Sequence, residues 1–158
     1  MKQIALLFAG VIVFIIAVGI FTKDLTKPSS TTTQVKKEVS IEDAAVLAEI
    51  ADDEAERKIG LSEKAYLGED EGMLFVFPEK TSSAGFWMKD MKFPIDIVWI
   101  NDDKVVKIDK NVKPEPGVGD EQLKLYYPET PINYVLEVKA GFAEENSVKP
   151  GDKVVISD

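Results

Sequence analysis

The chain contains no histidine and no cysteine, and those two gaps remove most of the familiar catalytic chemistry. Without imidazole there is no general base with an ordinary pKa near neutrality, no Ser-His or Cys-His nucleophile pair and no imidazole metal site. Without a thiol there is no disulfide, no thiolate zinc site, no thiol nucleophile and no lipoprotein-type cysteine anchor. Any catalysis must rest on carboxylates, lysine, tyrosine, hydroxyl side chains or an oxygen-ligated metal. Positive charge is also scarce: 19 Lys and Arg face 28 Asp and Glu. Residues 39–158 alone hold 14 basic and 26 acidic side chains, a net charge of −12. A field of that sign repels phosphate backbones and anionic lipid, so nucleic acid is not an expected partner.

What is present begins with one long apolar run. Residues 4–21, IALLFAGVIVFIIAVGIF, carry no charge over eighteen positions. As a helix they span about 27 Å, close to the thickness of a bilayer's hydrocarbon core. The run is longer than the apolar part of most signal peptides, so residues 1–21 read as a retained membrane anchor, with Ala17-Val18-Gly19 as a candidate cleavage site if the segment is a signal. Lys2 precedes the run, and Lys23, Lys27, Lys36 and Lys37 follow it. A simple positive-inside count puts the domain in the cytoplasm, but long domains cross membranes largely regardless of such charges. An acidic domain behind a Ser/Thr-rich spacer fits an extracytoplasmic location, and that is the expectation. Residues 22–38 offer almost nothing apolar to offset their ordering entropy and read as a flexible linker.

Residues 39–158 then read as one β-rich domain, long enough to bury its own core. Short apolar runs broken by turn residues place strands at 39–41, 44–51, 72–77, 86–88, 95–100, 104–108, 133–138 and 153–156. Pro78 is expected to stop the third of these, and Asn101-Asp102-Asp103 to turn a hairpin. Asp53 as N-cap and Glu56 three residues later predict a helix, with Ile59 and Leu61 on its apolar side and Gly60 ending it. Residues 113–131, with four prolines and two glycines, form a long loop. Residues 141–147 make a helical turn or two. The expected fold is mostly β (α+β): a small barrel-like or curled mixed sheet of six to eight short strands with one short helix.

The ordered string Glu56-Arg57, Gly60-Leu61, Gly72-Met73-Leu74-Phe75-Val76-Phe77, Phe86-Trp87-Met88-Lys89, Pro94-Ile95-Asp96, Val135-Leu136-Glu137-Val138 and Ala140-Gly141 resembles the family called domain of unknown function 192. The resemblance covers the whole domain and implies a small prokaryotic β-rich fold, often behind an export signal or anchor, with no assigned activity. Where the family commonly follows Trp-Met-Lys with Asn and Thr, this chain has Asp90 and Met91. Ser62 stands where a methionine commonly follows Gly-Leu.

The candidate ligand-binding residues are Trp87, Lys89, Asp96, Arg57, Glu71 and Glu137. Trp87 offers a large apolar face, the more so if it lies opposite Met88 on a strand. The five charged residues sit beside apolar neighbours, where charge is seldom buried without a partner. Arg57 is expected to meet one or more of Glu71, Asp96 and Glu137 across the helix–sheet contact, and structural ion pairing is the plain alternative to a ligand pocket. A pair drawn from the three carboxylates also has the chemistry of a glycoside hydrolase. Glu69-Asp70-Glu71 and Asn101-Asp102-Asp103 lack the spacing of a calcium loop and read as solvated turns, so no metal is expected, and no cofactor. The leading functional reading is a membrane-tethered extracytoplasmic binding or accessory domain for a small molecule, glycan or envelope protein. The alternative is a carboxylate-dependent hydrolase acting on envelope glycans.

Deleting residues 1–27 is expected to move the protein from the membrane fraction to the soluble one with its β-type circular dichroism intact. Aggregation or loss of that signal would show that the deleted segment belongs to the fold.

Overall fold

The computed structural model describes residues 35–157. The expected anchor and residues 22–34 of the expected linker lie outside them. Among the described residues, no helix is long and apolar enough to cross a membrane.

Seven strands build the domain: β1 (Lys36–Ile41), β2 (Ala44–Ala51), β3 (Glu71–Thr81), β4 (Ile95–Asn101), β5 (Lys104–Val112), β6 (Ile132–Lys139) and β7 (Val154–Ile156). They form one sheet in the order β5-β4-β6-β3-β2-β1-β7. Only β2 and β3 run parallel, Leu47 facing Glu71 and Ala51 facing Phe75. All other neighbours are antiparallel. The sheet curls until its two edges touch. Lys104 bridges Lys153, the Val105 N–H donates to the Asp152 carbonyl at 3.0 Å, and the Val154 N–H donates to the Asp103 carbonyl at 2.8 Å. The expected curled mixed sheet is therefore present, with two short α-helices rather than one: α1 (Glu54–Ile59) and α2 (Phe142–Glu145).

Strand alternation sorts the apolar side chains into two cores, one on each face. On β4, Val98 and Ile100 join Leu74, Leu136, Val138, Phe142 and Ala143 on one face. Ile95, Ile97 and Trp99 join Met73, Phe75, Met88 and Val135 on the other. β3 alternates in the same way and is buried on both sides, as its continuous apolar run predicts.

The hairpin turns form where expected. Glu42 and Asp102 take positive φ, 50° and 53°, a conformation that short turns demand and non-glycine residues adopt sparingly. Several boundaries differ from the sequence reading. β1 starts at Lys36, three residues early, because Lys36 faces Glu49 across the β1–β2 ladder and its ammonium reaches that carboxylate at 3.4 Å. β3 runs through Pro78 to Thr81; its pairing with β6 breaks between Val76 and Thr81, so Pro78 falls where no ladder N–H is required. Residues 86–88 are not a strand. Phe86 makes one isolated bridge to Tyr126, and no neighbouring strand extends it.

α1 is capped nearly as predicted. The Glu56 N–H donates to Asp53 Oδ1 at 2.8 Å, but the Glu56 carboxylate returns to the Asp52 N–H, at 3.2 Å, rather than to Asp53. Gly60 closes the helix at φ 52°, where a Cβ would lie 3.3 Å from the Phe75 ring. That glycine lets the helix end settle on the sheet. Leu61 is buried as expected, but it lies just past the helix; the six residues of α1 bury none of their own side chains, and Ile59 is 46% exposed.

Candidate functional site

Three long connections lie on the Trp99 face of the sheet: residues 52–70 with α1, residues 82–94, and residues 113–131. They contribute Leu61, Leu67, Met88, Phe86, Met91, Phe93 and Tyr126 to the packing there. The second and third clasp each other. The Phe86 N–H donates to the Tyr126 carbonyl at 2.9 Å, and the Tyr126 N–H returns to Phe86 at 2.8 Å. Between the α1 connection and residues 84–91 they leave an open cleft of about 630 Å³. Its walls are aromatic. Phe75 and Phe86 meet edge-on at 4.8 Å between ring centres, Phe77 and Trp87 also line the space, and Trp99 backs Phe86 from the core at 5.4 Å.

Glu137 lines this cleft from β6. In the sheet register it sits between Met73 of β3 and Ile97 of β4, both in the apolar core. It is 5% exposed, and no described side chain or backbone group hydrogen-bonds its carboxyl or pairs with it. Burial alone pushes the group up to about 8 from its ordinary 4.5, because the charged form loses its hydration with nothing in exchange. Burial therefore favours the neutral carboxyl, which can both donate and accept a hydrogen bond, at the floor of this cleft.

Arg57 and Lys58 enter from the last turn of α1, and Lys89 and Asp90 from the opposite side. Among the described residues Arg57 meets no carboxylate, contrary to the expected pairing with Glu71, Asp96 or Glu137. Its Nη1 donates instead to the Val76 carbonyl at 2.9 Å and to the Asp52 carbonyl, and the guanidinium lies 5.4 Å over the Phe77 ring. The Val76 carbonyl, free where β3 leaves its ladder, and the Asp52 carbonyl before α1 take the place of an acid. The Lys89 ammonium pairs with the exposed Asp120, whose hydrogen bond raises its pKa from the ordinary value.

The six sequence candidates therefore divide. Trp87, Lys89, Arg57 and Glu137 converge on the cleft. Trp87 is 43% exposed on its wall, while Met88 turns into the core. Asp96 lies on the opposite face, fully buried. Its carboxylate accepts from the Asn111 N–H at 2.7 Å and the Ala143 N–H at 3.0 Å, tying β5 and the start of α2 to β4. Glu71, at the head of β3, accepts from the Gly68 N–H at 3.1 Å and does not line the cleft. The acidic turns also find cations: Asp102 pairs with Lys80 at 2.6 Å and Glu69 with Lys139 at 3.0 Å.

Sequence reasoning missed Lys58, Ser62, Asp90 and Met91, which also line the cleft. Three of these, Ser62, Asp90 and Met91, are the positions noted above as departing from the family's usual string. Asp90 has φ 58°, a conformation that Asn and Asp tolerate better than other side chains, so the exchange of one for the other leaves the turn intact.

The family model described as DUF192, Uncharacterized ACR, matches residues 35–156. The chain belongs to this family. No curated protein matches it. The DUF192 domain is similar to a crystal structure of a protein from Sinorhizobium meliloti 1021, described provisionally as a transcription regulator. That match has 28% identity and a TM-score of 0.69 over 78% of this chain and 95% of the other. It is also similar to a protein of unknown function from Novosphingobium aromaticivorans, at 31% identity and a TM-score of 0.63, over 77% of this chain and 84% of the other. In the Sinorhizobium protein the matched fold makes up nearly the entire chain, and here residues 34–158 form a compact unit of their own.

The folded state of the DUF192 domain keeps the Glu137 proton up to about pH 8, whereas an unfolded chain releases it near 4.5. The stability tied to that proton is complete below the lower value and falls as pH rises through the upper one. Between pH 5 and 8.5 the wild type is expected to lose about 4 kcal/mol more unfolding free energy than Glu137→Gln, a neutral isostere. Urea titrations at the two pH values check this, and parallel losses in both proteins would show that Glu137 does not titrate high.

Proposed function

We propose that this is a membrane-tethered, extracytoplasmic binding or accessory module whose aromatic cleft holds a small molecule. One observation carries the reading: Glu137 is a nearly buried carboxyl with no partner among the described residues, and it opens only to the aromatic cleft. Burying a polar group without a hydrogen bond costs about 1–3 kcal/mol. A ligand that pairs with the carboxyl removes that cost, and the aromatic walls supply the apolar contact expected of a small-molecule site. The tether rests on the uncharged run 4–21, and the extracytoplasmic location on the acidic domain behind its Ser/Thr-rich spacer.

The hydrolase alternative needs two carboxyl groups flanking one bond. Of Glu71, Asp96 and Glu137 only the last lines the cleft, so no pair drawn from these three is assembled there; the other carboxylate on its wall is Asp90, which the turn at the end of residues 84–91 brings in. The role named for the Sinorhizobium protein, transcription regulation, would bring a domain of charge −12 toward a phosphate backbone if it required contact with DNA, and the field opposes that approach.

Residues 28–158 titrated with N-phenyl-1-naphthylamine, a neutral apolar dye, test the reading. We expect saturable binding at one site per chain, weakened about tenfold by Trp87→Ala through lost aromatic contact. Near-UV circular dichroism should stay native throughout, which separates cleft binding from dye uptake by a loosened core. Absence of saturable binding, or binding indifferent to Trp87→Ala, would overturn the proposal.

A further inference from the structure

We infer that the ligand of this cleft is a small organic acid, with an aromatic or aliphatic body against the Phe75–Phe86 wall and its anionic group at Arg57 and Lys58. The inference rests on the binding reading above and adds the ligand's charge and orientation.

The first ground is a reversal of local sign. The domain carries a net charge of −12, yet the cleft is lined by Arg57, Lys58 and Lys89 against Asp90 and a Glu137 that is neutral at pH 7. Lys89 spends its charge on Asp120. Arg57 and Lys58 have no carboxylate within ion-pair distance among the described residues, in a chain where acids outnumber bases. A small anion is repelled by most of this surface and attracted at this point.

The second ground is how Arg57 is held. It is the chain's only arginine. Two backbone carbonyls fix its Nη1, and Phe77 supports its plane. Nε and Nη2 make no hydrogen bond with any described residue. A guanidinium so fixed loses little side-chain entropy when it binds, and its remaining donors match the paired oxygens of a carboxylate, sulfonate or phosphate.

The third ground is size and the position of the neutral carboxyl. A cleft of about 630 Å³ lies within the range that holds one drug-sized molecule. Glu137 lies on the sheet floor, away from the α1 rim. Its O–H donates to an uncharged acceptor or its carbonyl accepts from a donor on the ligand's body, so it selects for a polar substituent there rather than for the charge.

Dye binding to residues 28–158 provides the test, with 8-anilinonaphthalene-1-sulfonate compared with N-phenyl-1-naphthylamine, which has the same aromatic body without the anion. The sulfonate should bind more tightly, and its affinity alone should fall as sodium chloride rises. Lys58→Glu, on an exposed position, should weaken the sulfonate roughly fivefold and leave the neutral dye within twofold. Arg57→Gln should weaken it about tenfold, and a melting curve on the same sample verifies that this variant remains folded. If the neutral dye binds but the sulfonate binds no better, or if Lys58→Glu affects both alike, the cleft binds ligands and the anion assignment is wrong. If neither dye binds, the site itself is wrong.

Discussion

The parallel pairing of β2 with β3 shapes the side of this domain that carries the cleft. Two antiparallel strands can be joined by a tight turn, but parallel neighbours need a long connection back across a sheet face. Residues 52–70 make that return journey, and they bring α1, Arg57 and Lys58 over the Trp99 face. The hairpins β1–β2 and β4–β5 need no such excursion. One face is therefore sealed by close packing around Leu74, Leu136 and Phe142, while the other is covered by three connections of unequal reach. Their incomplete meeting is the cleft, and Gly60 sets how closely the α1 connection approaches the Phe75 ring.

That arrangement gives two buried carboxyl groups opposite roles. Asp96 and Glu137 stand on adjacent central strands, both almost without exposure. Asp96 points to the sealed face, where each of its oxygens accepts from a backbone N–H, so it ties the structure together. Glu137 points to the covered face and meets none. The cost of keeping it there is a raised pKa and a stability that declines with pH. A group that weakens the fold yet faces a concave aromatic surface is what the proposed recognition site would explain.

Much of the fold was legible in local pattern. The double burial of β3, the strands β4 and β6, the acidic hairpin turn at Asn101-Asp102-Asp103 and the Asp53 cap follow from spacing and residue type alone. Residues 86–88 misled because a short apolar run carries the same signal whether it pairs in a sheet or packs as a loop, and only the tertiary partner decides. The site was legible as a set of residues rather than as an arrangement. Trp87, Lys89, Arg57 and Glu137 were identifiable by type, but which acid stays alone depends on the register that sets Glu137 between Met73 and Ile97. A glutamate inside the buried run Val135-Leu136-Glu137-Val138 was the available signal. Arg57 escaped its expected acid because β3 stops pairing after Val76 and leaves a carbonyl nearer at hand.

The central claim is that Glu137 is neutral at physiological pH and open to the cleft, and carbon-13 NMR of glutamate-labelled protein reads this directly. The Cδ resonance absent from Glu137→Gln identifies the residue. The account predicts that this resonance keeps the shift of a protonated carboxyl at pH 7, after the exposed glutamates have ionised, and moves only as pH approaches about 8. It also predicts that the resonance responds to a cleft ligand added at constant pH. Ionisation together with the surface glutamates below pH 6 would contradict it.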